Sequence, residues 1–269
     1  MFPREFKPIF IENNELVRLG SVDDGGYVVP KQTILSSELL VSLGISDNWD
    51  FEKDFVKISK ESVYAYDHSI HTNFWFSRFK KDLFRFLCLK IFKPKKLYKM
   101  FQYFDFLYFF KLNKNNKFFL KKIGNDENSI TLKEIISTKC ENKNNIFLKV
   151  DIEGFEYEIL NDIINFKNML QGIVIEFHDV SKNIYKISEF INNIKSNLYL
   201  VHIHGNNYSV KENNKDPEAI ELTFSKKSLH SVNKANNKIY PIKNLDFSNS
   251  KRSPDIELFF EEYIFNDKN

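Results

Sequence analysis

Two kinds of hydrophobic spacing take turns along the chain. Apolar runs of strand length occur at 38–43, 62–68, 118–124, 147–150, 171–179, 198–208 and 217–224. Several give way to a stretch in which apolar residues recur every three or four positions. After Phe147-Leu148-Lys149-Val150 the chain turns through Asp151-Ile152-Glu153-Gly154, and Phe155, Ile159, Leu160 and Ile163 then follow at helical spacing. Val180 to Ser196 reads as an amphipathic helix, and Thr131 to Ile136 as a shorter one with Ser129 or Thr131 as its N-cap. A short helix is also expected in the tail, 255–265. Strands alternating with helices predict an α/β fold with a parallel, doubly wound sheet, its last strands close enough to pair antiparallel.

Residues 71–116 interrupt this alternation. Phe74-Trp75-Phe76, Phe79, Leu83, Phe84, Phe86 and Leu87 sit at helical spacing with Arg78, Lys80 and Lys81 between them. Lys93-Pro94-Lys95-Lys96 breaks the pattern before a second aromatic-rich helix, Leu97 to Leu112. This reads as a helical insertion in a single domain spanning 1–269, serving as a lid, a homo-oligomer face, or a hairpin that docks on a membrane surface or a partner.

Composition narrows the function. With 269 residues, 42% hydrophobic and 28% charged, the chain supports one sizeable soluble domain. A net charge of +3 gives no reason to expect a nucleic-acid partner. Cys88 and Cys140 make neither a disulfide framework nor a metal knuckle. Without a signal pattern or an apolar span of membrane length, a bacterial cytoplasmic location is expected.

Candidate chemistry gathers where strands end, which is where open α/β sheets bind ligands. Asp23-Asp24-Gly25-Gly26-Tyr27 is a glycine turn, either a plain hairpin corner or a loop that lets a ligand approach the backbone. Leu43-Gly44-Ile45-Ser46 leaves one strand, and Asp67 with His68 ends the next. The glycines lack the spacing of a dinucleotide fingerprint, and no Gly-Lys-Ser/Thr phosphate loop follows. A glycine loop with a strand-end acid and no phosphate ligands points to an adenosine-type cofactor without pyrophosphate, Asp67 accepting from its ribose. No Gly-x-Ser-x-Gly elbow supports a serine hydrolase. Asp151, Glu176, His178, Asp179, His202 and His204 all lie at strand ends. They allow two mechanisms for activating an acceptor hydroxyl. In the first, His178 or His204 is the general base, oriented by Asp151 or Asp179. In the second, Asp151, Glu176 and His178 hold a divalent cation, Mg or Mn. Glu153 and Glu156 read as capping or bracing residues.

Lys149-Val150-Asp151-Ile152-Glu153-Gly154-Phe155-Glu156, with Glu158-Ile159-Leu160 after it, resembles the central signature of FkbM-type S-adenosylmethionine-dependent methyltransferases. Asp23-Gly25-Gly26-Tyr27-Val28, Ser42-Leu43-Gly44-Ile45 and Tyr66-Asp67-His68 resemble the cofactor half of the branch found with bacterial surface-polysaccharide genes. The resemblance implies a Rossmann-like seven-stranded sheet and methyl transfer to a hydroxyl. It places Gly44 and Ser46 against the methionine half of the cofactor and Asp67, with His68 beside it, against the ribose. Asp23, Gly26 and Tyr27 close over the cofactor, and Asp151 faces the sulfonium or the acceptor. The expected acceptor is a sugar, such as a nucleotide-linked heptose of capsule or lipopolysaccharide. The alternative is a non-catalytic protein that binds a cofactor or partner through the insertion.

Overall fold

Strands without a polar face must be covered on both sides, so their flanking helices have to divide between two layers. In the computed structural model, which describes residues 1–87, 101–140, 142–209 and 216–261, they do so. The chain begins with a hairpin of β1 (Leu16–Gly20) and β2 (Gly26–Pro30), followed by α1 (Lys31–Leu35). Then come β3 (Leu39–Leu43), α2 (Asp50–Ser59), β4 (Ser62–Tyr66), α3 (Thr72–Leu87) and α4 (Gln102–Leu107), which runs into a π turn at Tyr108–Leu112. β5 (Lys117–Phe119), the two-residue strands β6 (Lys122–Ile123) and β7 (Ser129–Ile130), and α5 (Leu132–Lys139) lead to β8 (Ile146–Val150). The second half is α6 (Leu160–Asn165), β9 (Leu170–His178), α7 (Val180–Ile194), β10 (Leu198–Asn206) and β11 (Ala219–Lys226).

The main sheet has seven strands in the order β10-β11-β9-β8-β3-β4-β5. β9, β8, β3, β4 and β5 are parallel, while β11 runs antiparallel to both its neighbours, β9 and β10. Six strands therefore point the same way. This is the mostly parallel, Rossmann-like seven-stranded sheet expected from the sequence, with the helices α3 and α4 between β4 and β5. Alternation along the strands sorts the core. Leu39, Val41, Leu43, Leu148, Val150, Ile173 and Ile175 pack with Ile135, Ile163 and Phe190 on one face. Leu40, Phe147 and Val174 pack with Ile34, Phe51 and Phe55 on the other. β3 and β8 are adjacent although the chain runs outward from β3 through β4 to β5 before returning, so the switch point lies between them.

Two local expectations change and one is narrowed. The helix after Gly154 is delayed: Glu153 (φ 54°) and Gly154 (φ 98°) are left-handed, a short 3-10 turn spans Glu156–Glu158, and Phe155 is left exposed. Thr131, not Ser129, caps α5, its side chain accepting from the Glu134 amide in a capping box. The tail is extended as far as described, with Leu258 bridging Tyr240 and Phe260 bridging Phe2. The Lys93–Lys96 break and Cys88 lie outside the described residues, as do the first part of the expected 97–112 helix and the last part of the tail. No helix among the described residues is long and apolar enough to cross a membrane.

Candidate functional site

The switch point is tightly built. Gly44 ends β3 with φ +80°, and a Cβ there would come within 1.7 Å of the Asp151 carbonyl oxygen. The glycine therefore serves the approach of two backbones, since any other residue would push β3 and β8 apart. Beneath it lies a buried polar platform. The Lys149 ammonium donates to the Gly44 carbonyl at 2.9 Å and stands 3.6 Å from the Glu52 carboxylate, which accepts from Ser42 at 2.5 Å. Lys149 and Glu52 were missed as functional candidates in the sequence. The available signal was a lysine in the middle of an otherwise apolar strand.

Asp151 stands just beyond β8, partly exposed, and is joined there by side chains from β2 and β9. Tyr27 Oη lies 3.1 Å from Asp151 Oδ2 and 3.3 Å from Glu176 Oε2, so its single proton serves two carboxylates. Glu176 also accepts from the Asn206 amide at 2.7 Å. His178 lies on the same face of β9, its Nε2 3.9 Å from Glu176 and 3.6 Å from Glu153. Its Nδ1 is 2.8 Å from the buried carboxylate of Glu156, which also accepts from the Gly154 amide at 3.0 Å. Glu156 is thus a brace, and it, not Asp151 or Asp179, orients the imidazole. Asp179 instead pairs with Lys182 at 2.9 Å.

Electrostatics divides the roles. Burial pushes the Asp151 carboxyl up to about 6, against the pull of Lys149 and His178. Glu176 is raised well above the ordinary carboxylate range by burial and by the charges of Asp151 and Glu221. Burial opposes protonation of His178, but the hydrogen bond and charge of Glu156, then Glu176 and Asp151, push it up to about 9. At neutral pH His178 is a cation among acids, and Asp151 is the group poised to take a proton. Tyr27 is raised well above its usual value by burial and by the carboxylates it meets, and stays a donor.

The remaining sequence candidates fall elsewhere. His204 is buried on β10, with Nδ1 3.1 Å from Glu221 and Nε2 3.0 Å from Asp255. Both ring nitrogens are engaged and its pKa reaches about 10, burial being overcome by Glu221 and Asp255, so it is a tie between strands rather than a base. His202 similarly meets Asp246 at 3.1 Å. The acid ending β4 faces its own loops: Asp67 accepts from the amides of Ile45 (3.0 Å) and Ser46 (2.8 Å), and from the amide and hydroxyl of Ser69 (both 2.7 Å). Those four donors occupy the acceptor positions assigned in the sequence to a ribose. Ser46 is left-handed (φ 44°) and His68 is exposed. Gly26 pairs with Gly20 in the hairpin, and Asp23 at its tip pairs with Lys251 at 2.9 Å. Among the described residues, Asp151, Glu153 and His178 bring ligand atoms within 4.8 Å of one another. Two carboxylates and an imidazole could hold a divalent cation, with Glu153 in the place expected for Glu176.

No family model matches the sequence, and no curated protein does. Several solved structures are similar to the chain. An rRNA methylase from Streptococcus thermophilus is 12% identical, with 73% of this chain and 93% of that one covered and a TM-score of 0.38. The fibrillarin pre-rRNA processing protein of Methanococcus jannaschii is 15% identical, covering 72% and 68%, with a TM-score of 0.36. A precorrin-6y C5,15-methyltransferase from Geobacter metallireducens GS-15 is 11% identical, covering 81% and 98%, with a TM-score of 0.35. Likenesses this distant say nothing about acceptor or partners.

Proposed function

We propose that the protein is an S-adenosylmethionine-dependent O-methyltransferase that uses Asp151 as the base for an acceptor hydroxyl. The observation that carries this reading is the Asp151 carboxyl, raised to about 6 and held by Tyr27 at the carboxyl edge of the sheet beside the switch point. The acidic floor formed by Asp151 and Glu153 suits the positive sulfonium and amino groups of the cofactor. For the ribose the residues fit less well, because Asp67 is already saturated by its own loops, so contact there falls to other groups of the crevice. When bound, the cofactor supplies an electrophilic methyl group.

Asp151 aligns the acceptor hydroxyl and takes its proton as the new carbon–oxygen bond forms. Tyr27 keeps the carboxylate pointed at the acceptor. Glu176, held well above the ordinary carboxylate range by burial and by the charge of Asp151, adds less negative charge to the crevice than an ordinary carboxylate, and the His178 cation balances Glu153 and Glu156. The sugar class of the acceptor, including a nucleotide-linked heptose, rests on the resemblance of the sequence signature. Its Asp151-Ile152-Glu153 turn also allows a second reading, in which a divalent cation held by Asp151, Glu153 and His178 positions the hydroxyl.

Calorimetry with S-adenosylhomocysteine tests the cofactor, and no heat of binding would rule the reading out. A mass-spectrometric search across nucleotide sugars for a gain of one methyl group tests the acceptor. Turnover abolished by chelator and restored by Mg or Mn selects the cation over the free carboxylate.

A further inference from the structure

The charge of the chain is unevenly placed. Positions 71–122 carry fourteen Lys and Arg against two Asp, while the rest carries twenty-five against thirty-four Asp and Glu. A strongly basic segment is thus joined to an acidic body, and the near-neutral total hides it.

Described residues of the same segment also expose large apolar side chains. On α3, Phe76, Phe79 and Leu83 follow one another at spacings of three and four with Phe84 beside them, and all four are exposed. Phe76, Phe79 and Phe84 are 57%, 54% and 68% exposed, far more than packing against the body would leave. Phe104, Tyr108 and Leu112, on and after α4, are exposed at 64%, 70% and 72%. On the inward side of these helices Trp75, Phe106 and Phe110 pack around Trp49. Between α3 and α4 lies a cavity of about 560 Å³, lined by Trp75, Phe79, Tyr103, Phe104 and Leu107 among others. Lys80, Lys81, Lys111, Lys114 and Lys121 are exposed around these residues, and none is ion-paired among the described residues. The Lys80 ammonium lies over the Phe76 ring, 4.3 Å from its centroid, so positive charge and apolar surface share one face.

We infer that this face seats on a membrane surface bearing anionic lipid headgroups. Apolar side chains in helical register with lysines at their margin form the pattern of a helix lying in a lipid interface. The unpaired lysines attract phosphate headgroups, and Phe79, Phe104 and their neighbours enter the acyl boundary. Nucleic acid fits the charge but not the leucines: Leu83 and Leu112 have no aromatic face for a base, yet bury readily in lipid. The insertion also grips the loop above β3, where Arg78 pairs with Asp47 and Gln102 donates to the Asp47 carbonyl. A bilayer on this face therefore lies next to the loop beside the catalytic edge, where an acceptor carried on a lipid would arrive.

Flotation of the full chain at low salt, with phosphatidylcholine vesicles and with vesicles that also contain phosphatidylglycerol, tests the inference. Expected is capture by the anionic vesicles only, reduced about tenfold both by Phe79→Ser with Phe104→Ser and by Lys80→Glu with Lys81→Glu. A thermal melt confirms that each variant is folded, and homocysteine-cofactor binding, measured alongside, reads the catalytic half separately. No capture by anionic vesicles overturns the inference. So does capture that the phenylalanine changes leave intact, which is charge attraction alone. A dimer that those same changes dissolve, in protein that does not float, overturns it in favour of a second copy of the chain.

Discussion

Asp151 is the residue where sequence and structure meet most directly. An acid placed immediately after a buried strand and before a glycine could be recognised from the pattern alone. Its partners could not, because Tyr27 comes from a hairpin 124 positions earlier and no local spacing links the two. The division of labour between the acids and His178 was equally hidden: it depends on Glu156 reaching back across 22 positions to the imidazole. With His178 held as a cation, kcat/KM should rise with pH through about 6, as Asp151 loses its proton, and stay level to about pH 9. Asp151→Asn should remove that limb and lower turnover by about 10²–10⁴, with S-adenosylhomocysteine affinity little changed. Tyr27→Phe gives a finer test. The Tyr27 hydrogen bond lowers the Asp151 pKa, so its loss should move the acidic limb to higher pH. A limb that stays in place in that variant would show that Tyr27 does not hold Asp151 during turnover.

At the scale of elements, β3 and β8 are fastened by features of opposite legibility. Gly44 stands out in the sequence as a glycine after a strand, but it reads there as a cofactor loop. The structure gives it a second demand, the approach of the Asp151 carbonyl at a distance no side chain tolerates. Gly44→Ala combines a left-handed φ with that collision and should cost at least about 2 kcal/mol in a denaturant melt. The Lys149–Glu52 pair beneath was illegible because the partners belong to different elements, and Glu52 looks like one more surface acid of an amphipathic α2. Both side chains are almost wholly buried, at 4% and 0% exposure. Lys149→Ala would strand the Glu52 carboxylate in the core and should destabilise by about 3–5 kcal/mol. A cost below about 1 kcal/mol would mean that the pair is solvated in solution. The same contrast holds for the insertion: its aromatic spacing predicted helices, while its grip on Asp47 joins residues 31 and 55 positions apart, one through the side chain of Asp47 and one through its carbonyl.

Across the whole molecule, the sheet was readable because strand and helix periods alternate, and the stretch that follows β11 was not. Residues 232–261 have no periodic apolar pattern and form no long element; they are held by buried polar contacts. Asn207 accepts from the Ser250 amide and donates to the Ser250 and Ser253 carbonyls, and Asn249 donates to Glu221 and Asp24. His204 ties Asp255 to Glu221 on β11 at the centre of this lattice. His204, which looked catalytic on β10, is therefore a structural tie through two acids, and its neighbour His202 is tied in the same way through Asp246. This assignment has a consequence for stability. An imidazole with an ordinary pKa near 6.5 in the unfolded chain reaches about 10 when folded. Its raised pKa stabilises fully below about 6.5, and that contribution falls away as pH climbs towards 10. The melting temperature should thus decline steadily over that window. His204→Gln should start lower at pH 6 and show a shallower decline, the remainder coming from His178, which is raised in the same sense. A wild-type melting temperature independent of pH between 6.5 and 10 would show that His204 is neutral in the fold, and its two acids would then need another counter-charge.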